Sequence, residues 1–148
     1  MEHHSVDELR HVAEVKSVAA LFRRREKLER WAKVIEAAGP QRFRTFPELE
    51  YASAAERSAV RRDGSPLALA YTDPVLREAG LVGDRYGQAV PFFELSEREA
   101  HRLFCSCIHG GTVSSEGLAS ELRRLAVRDR GGGLLSRIVA GLKHARFH

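Results

Sequence analysis

The chain has 148 residues, 43% of them hydrophobic and 30% charged, which is the balance of one soluble domain able to bury a core. Aromatic residues make up only 7% and no residue type forms a long run, which argues against collagen-like, low-complexity and wholly disordered classes. The formal charge of +4 is unevenly spread, with net charges of −2 over residues 1–22, +4 over 23–33, −3 over 34–120 and +5 over 121–148. Two basic blocks thus flank an acidic middle, and their plainest use is to face solvent or to pair with that middle.

The longest apolar runs, such as Val18-Ala-Ala-Leu-Phe22, fall far short of the roughly 20 residues that a spanning helix needs, so no transmembrane segment is expected. The start, Met1-Glu-His-His-Ser-Val-Asp-Glu8, is acidic and polar where a secretory signal would be basic and then apolar. Cys105 and Cys107 are the only cysteines, and a close pair of free thiols suits a reducing compartment. The expected location is cytoplasmic.

In chain order, the first helix signal is the capping box Ser5-Val-Asp-Glu8. Leu9, Val12, Val15 or Ala19, and Phe22 recur at helical spacing, and Leu28, Trp31, Ile35 and Ala38 continue the stripe to a stop at Gly39-Pro40. Arg24, Lys27, Arg30 and Lys33 fall on the opposite face. Residues 41–73 read as short helical pieces, with cap spacing at Thr45-Phe-Pro-Glu48 and Ser53-Ala-Ala-Glu56 and a loop at Asp63-Gly-Ser-Pro66. Leu67–Tyr71 reads as helix or extended linker, and Thr72-Asp-Pro74 restarts a helix that Gly80 ends.

Gly83, Gly87 and Pro91 then limit residues 81–95 to a short or bent helix, with Tyr86, Val90, Phe92 and Phe93 toward the core. Ser96-Glu-Arg-Glu99 is the strongest capping box. The spacing predicts that its helix runs to Gly110-Gly111 with Ala100, Leu103, Phe104 and Cys107 on one face. Ser115 begins another helix with Leu118, Leu122 and Leu125 inward. A flexible joint at Gly131-Gly-Gly133 precedes a C-terminal amphipathic helix over 134–146. The expected architecture is all-α, a single compact domain over 1–148 with five to seven helices and a long N-terminal helix.

The densest group of metal-capable side chains is His101, Cys105, Cys107 and His109. In a regular helix, however, Cys107 diverges from the face shared by His101 and Cys105, so joint ligation requires the helix to unwind near Ser106. On a regular helix Cys107 fills the core, His101, Cys105 and His109 stay near the surface, and purified protein holds substoichiometric zinc. Both thiols also lie toward a helix C-terminus, where the dipole disfavours a nucleophilic thiolate. No cofactor and no catalytic role are expected.

Residues 95–142 invite a nucleic-acid interpretation: a capped helix, a glycine turn, a Leu- and Arg-rich helix and a third basic helix. Leu95-Ser-Glu-Arg-Glu99 resembles the opening of LuxR-type helix-turn-helix domains, over about a third of the chain. That resemblance implies DNA binding; as a generic helical DNA binder, the chain would mainly touch phosphate through Arg123, Arg124, Arg128, Arg130, Arg137, Lys143 and Arg146. The connection from Leu125 through Gly133 is much longer than the three or four residues such motifs use, and the family is not assigned. The first expectation is a non-enzymatic binding or regulatory protein. Its apolar stripe Leu134, Leu135, Ile138, Val139 and Leu142 would meet a protein partner or a second copy.

Overall fold

Free of Gly and Pro, residues Arg24–Ala37 form helix α1, with Leu28, Trp31, Ala32 and Ile35 recurring on the buried side. The helix stops as expected: Gly39 takes the left-handed conformation at φ +83° and its N–H bonds to the Glu36 carbonyl. Ala38 is exposed and does not extend the stripe. The computed structural model describes residues 23–128. The capping box at Ser5 and Glu8, the stripe from Leu9 to Phe22, the 131–133 joint, the 134–142 stripe, Arg130, Arg137, Lys143 and Arg146 lie outside the described residues.

The basic face of α1 is not simply solvated. Arg30 makes two hydrogen bonds to the Asp73 carboxylate at 2.8 and 3.0 Å, and Lys27 donates to the Phe92 carbonyl at 3.0 Å. Arg24 clamps both oxygens of Glu99. Its guanidinium, helped by the Ser96 cap, holds the Glu99 carboxyl down at about 2. The basic block at 23–33 therefore does pair with the acidic middle of the same chain.

Strand β1 (Arg42–Arg44) corrects the all-helical expectation for residues 41–73. It pairs antiparallel with β2 (Thr112–Ser114) in the register Arg42 to Ser114, Phe43 to Val113 and Arg44 to Thr112. Phe43 and Val113 face the core while their neighbours point outward. The fold is all-α with this one small sheet among the described residues. A 3-10 turn follows at Pro47–Leu49, capped by the Phe46 backbone and not by Thr45. Thr45 is recruited elsewhere, as described below.

Helix α2 (Ala54–Ala59) starts on the complete Ser53 and Glu56 capping box. Ser65 caps α3 (Pro66–Thr72) and Asp73 caps α4 (Pro74–Glu78), each with proline in the first turn, where its missing N–H costs nothing. Residues 67–71 are thus helical. Helix α5 (Tyr86–Phe92) is short, and at Gly87 it passes so close to α2 that an added Cβ would sit 2.7 Å from Ser58 Cβ and 2.8 Å from its carbonyl oxygen. A Gly87→Ala variant gains up to about 1 kcal/mol of helix propensity. Because the contacted atoms include backbone, overpacking of about 1–3 kcal/mol outweighs that gain. Thermal unfolding should show a lowered midpoint.

Helix α6 (Glu97–Phe104) starts on the Ser96 and Glu99 box and buries Ala100, Leu103 and Phe104. A short helix α7 (Ser106–His109), strand β2 and a helix α8 over residues 115–128 complete the described chain. Leu118, Leu122 and Leu125 of α8 point inward as expected. The core centres on Trp31, stacked on Phe93 at 4.1 Å between centroids, with Phe104 and Phe46 around it. No helix among the described residues is long and apolar enough to cross a membrane.

Candidate metal centre

The region that decides the chemistry is the junction between α6 and α7. In an uninterrupted helix the Phe104 carbonyl would accept the N–H of residue 108. Here it accepts the Phe46 N–H at 2.8 Å, and the Ile108 N–H turns to the Cys105 carbonyl at 3.2 Å. Phe46 and Cys105 form an isolated parallel bridge, and Cys105 is extended at φ −72°, ψ 134°. The helix is therefore broken one residue before Ser106 by a segment some 60 positions earlier in the chain.

Thr45 holds the same junction from beside Phe46. Its backbone N–H donates to the Gly111 carbonyl at 3.2 Å, and its buried hydroxyl lies 2.6 Å from the Gly110 carbonyl and 2.7 Å from Ser106 Oγ. This accounts for the missing Thr45 cap. Thr45, Phe46 and Ser106 are positioning residues; the cap rule picks out Thr45 for a different role, and no local rule joins the three.

The break reverses the expected roles of the two cysteines. Cys105 is the one in the core, at 0% exposure, and Cys107 is the exposed one. Extended just before α7, Cys105 takes that helix's N-cap position and turns its side chain back toward the first-turn backbone, where Cys107 lies. The two sulfurs accordingly lie 2.7 Å apart, the Cys107 N–H donates to Cys105 Sγ at 3.4 Å, and His101 Nε2 lies 3.2 Å from Cys107 Sγ. Donor atoms of His101, Cys105 and Cys107 all fall within 4.8 Å of one another.

His109, the fourth residue of the sequence cluster, leaves it. Its Nε2 is hydrogen-bonded to the Arg102 carbonyl at 2.5 Å, and it lines a separate 340 Å³ cleft with Arg42, Thr112 and Glu121. The gathered donor set is thus two sulfurs and one imidazole, opening to solvent at Cys107 and half-buried His101.

The hydrogen bond with Cys105, which favours the protonated Cys107 thiol, followed by loss of water and the electrostatic effect of Cys105 and Glu50, pushes the Cys107 thiol up to about 11. A thiol so placed keeps its proton at neutral pH, which speaks against an activated nucleophile. Softness and number of donors instead suit a thiophilic divalent ion. At zinc–sulfur bonds near 2.3 Å and tetrahedral angles, the two sulfurs would sit about 3.8 Å apart. The exposed Cys107 side chain is the one free to open by that ångström.

The basic residues proposed for phosphate divide differently. Arg123 is bidentate to Glu36 at 2.7 and 3.0 Å, and Arg124 is bidentate to Glu121. Arg128 is exposed at the end of the described part of α8. Two of the three described arginines are thus engaged with carboxylates of the same chain. No protein-family model matches the chain, and neither does any curated protein or solved structure.

Proposed function

We propose that this protein is a small helical metal-binding protein that holds a thiophilic divalent ion, of the zinc class, through His101 Nε2, Cys105 Sγ and Cys107 Sγ. The observation that carries this is the break at Cys105, which turns two diverging thiols into a converging pair beside an imidazole. Three protein donors with one open side correspond to sites that keep a fourth position for water or another donor, as opposed to closed four-ligand structural sites. The expectation of no tightly held metal assumed a regular helix through residue 107, and that assumption does not hold.

The phosphate-binding alternative draws no support from Arg123 and Arg124, whose guanidinium forks are already filled. The partner-binding alternative depends on residues 134–142, outside the described part of the chain.

The test uses the reduced full chain. Titration with zinc(II) against a chromophoric chelator should reach one ion per chain, and cobalt(II) should give thiolate charge-transfer bands together with visible d–d bands of the intensity of four-coordination. Even the groups that support metal ligands cost about 10–100-fold in affinity when removed, so Cys107→Ser and His101→Gln should each weaken zinc binding by at least roughly that much. His109→Gln should leave it unchanged. Absence of stoichiometric uptake, or equal uptake by the Cys107→Ser and His101→Gln variants, would refute the assignment.

A further inference from the structure

We propose that Cys105 and Cys107 are also a reversible oxidation site, closed to an intrachain disulfide by small-molecule disulfides of the glutathione class. The consequence drawn for metal loading rests on the metal-site assignment above; the oxidation itself does not.

The sulfurs are separated by 2.7 Å, between the roughly 2.05 Å of a disulfide and the roughly 3.8 Å that a shared zinc would impose, and nearer the former. The fold also divides the labour. Cys107 is exposed and reachable by a small oxidant, whereas Cys105 is fully buried directly behind it. Thr45 and Phe46 hold the junction in the shape that keeps both sulfurs on one side.

The chemistry follows two exchange steps. The Cys107 thiol loses its proton and its sulfur attacks one sulfur of the oxidised small molecule, forming a mixed disulfide and releasing one small thiol. Cys105 then loses its proton and attacks Cys107 Sγ, expelling the second small thiol. The protein gives up two electrons and two protons in all, and one small disulfide takes them up to become two thiols. The high proton affinity of Cys107 slows the first step, because the thiolate is the attacking species. Closure removes two of the three metal donors, so the disulfide and the bound ion exclude each other.

Metal-free full chain is equilibrated in mixtures of reduced and oxidised glutathione, acid-quenched, and read by intact mass and thiol count. The expected result is loss of two hydrogens and both thiols with no retained glutathione, reversed by dithiothreitol. Cys105→Ser should instead retain one glutathione on Cys107, and Cys107→Ser, altered at an exposed position, should form no intrachain bond. Two persistent free thiols, a stable glutathione adduct on the unaltered chain, or disulfide-linked dimers would each overturn the oxidation site. In a second arm, the oxidised chain should take up no zinc until reduced. Zinc uptake by the oxidised chain would overturn the exclusion, whereas failure of the reduced chain to bind zinc would overturn the metal assignment and leave the disulfide result standing.

Discussion

Replacement of Trp31 by alanine is expected to lower the free energy of unfolding by about 3–5 kcal/mol, a large share of the roughly 5–15 kcal/mol that holds a domain together. Trp31 is the only tryptophan and is fully buried. Its ring stacks on Phe93 with 19° between planes and meets Phe104 at 5.8 Å, so the substitution leaves a void bordered by α1, α6 and the residue after α5. The indole N–H donates to the Pro66 carbonyl at 3.2 Å, linking α1 to the first turn of α3. Trp31→Phe isolates that bond: most of the ring is kept, one buried carbonyl loses its donor, and about 1–3 kcal/mol should be lost. Urea unfolding followed by circular dichroism at constant denaturant slope checks both. A loss below about 1 kcal/mol for the alanine variant would mean that the core refills the space, contrary to its packing.

Asp73→Ala should cost about 2–4 kcal/mol, because one carboxylate performs two functions. It accepts the Leu76 N–H at 3.1 Å as the cap of α4, a contribution of about 1 kcal/mol. It also receives two hydrogen bonds from Arg30, worth about 1.5–3 kcal/mol where a charged group is involved. The Asp73 side chain is only 6% exposed and that of Arg30 35%, so solvent screens the pair from one side only. That hydrogen bond is also the first cause of the raised Arg30 pKa. Asp73→Asn keeps the capping oxygen and should cost about half as much as the alanine change. A double-mutant cycle with Arg30→Gln should return a coupling above about 1 kcal/mol, and a value under about 0.5 kcal/mol would reduce the pair to an ordinary surface contact.

The caps at Ser53 and Ser96 were legible because each lies within four residues of the amide it satisfies. The inward faces of α1, α6 and α8 were legible from their spacing for the same local reason. The sheet was not, since Arg42-Phe-Arg44 and Thr112-Val-Ser114 each offer only three alternating residues and their pairing spans about 70 positions. The candidate metal centre lay between these cases. All four metal-capable residues stood out within nine positions, but the choice among them depended on where the helix ends. That end is set by the Phe46 N–H reaching the Phe104 carbonyl, and nothing in His101–His109 announces it. Lys27 and Arg30 illustrate the converse: helical spacing placed them opposite the core, yet neighbouring segments supply their partners.

Because the broken helix is imposed from afar, order of assembly matters. A free peptide spanning residues 96–111 has its cap and its apolar stripe but lacks Thr45 and Phe46, and its plain tendency is to continue helically past Cys105 with the sulfurs on different sides. Only after the chain has closed the loop between the β1 and β2 regions can the two thiols converge, and closing a loop of that length is a slow, entropically opposed event. During synthesis, His101, Cys105 and Cys107 emerge long after residues 42–46, so their partner segment is already waiting. Convergence of the cysteines thereby depends on this long-range contact: without it the chain presents two ordinary, independent thiols, and with it a single dithiol unit.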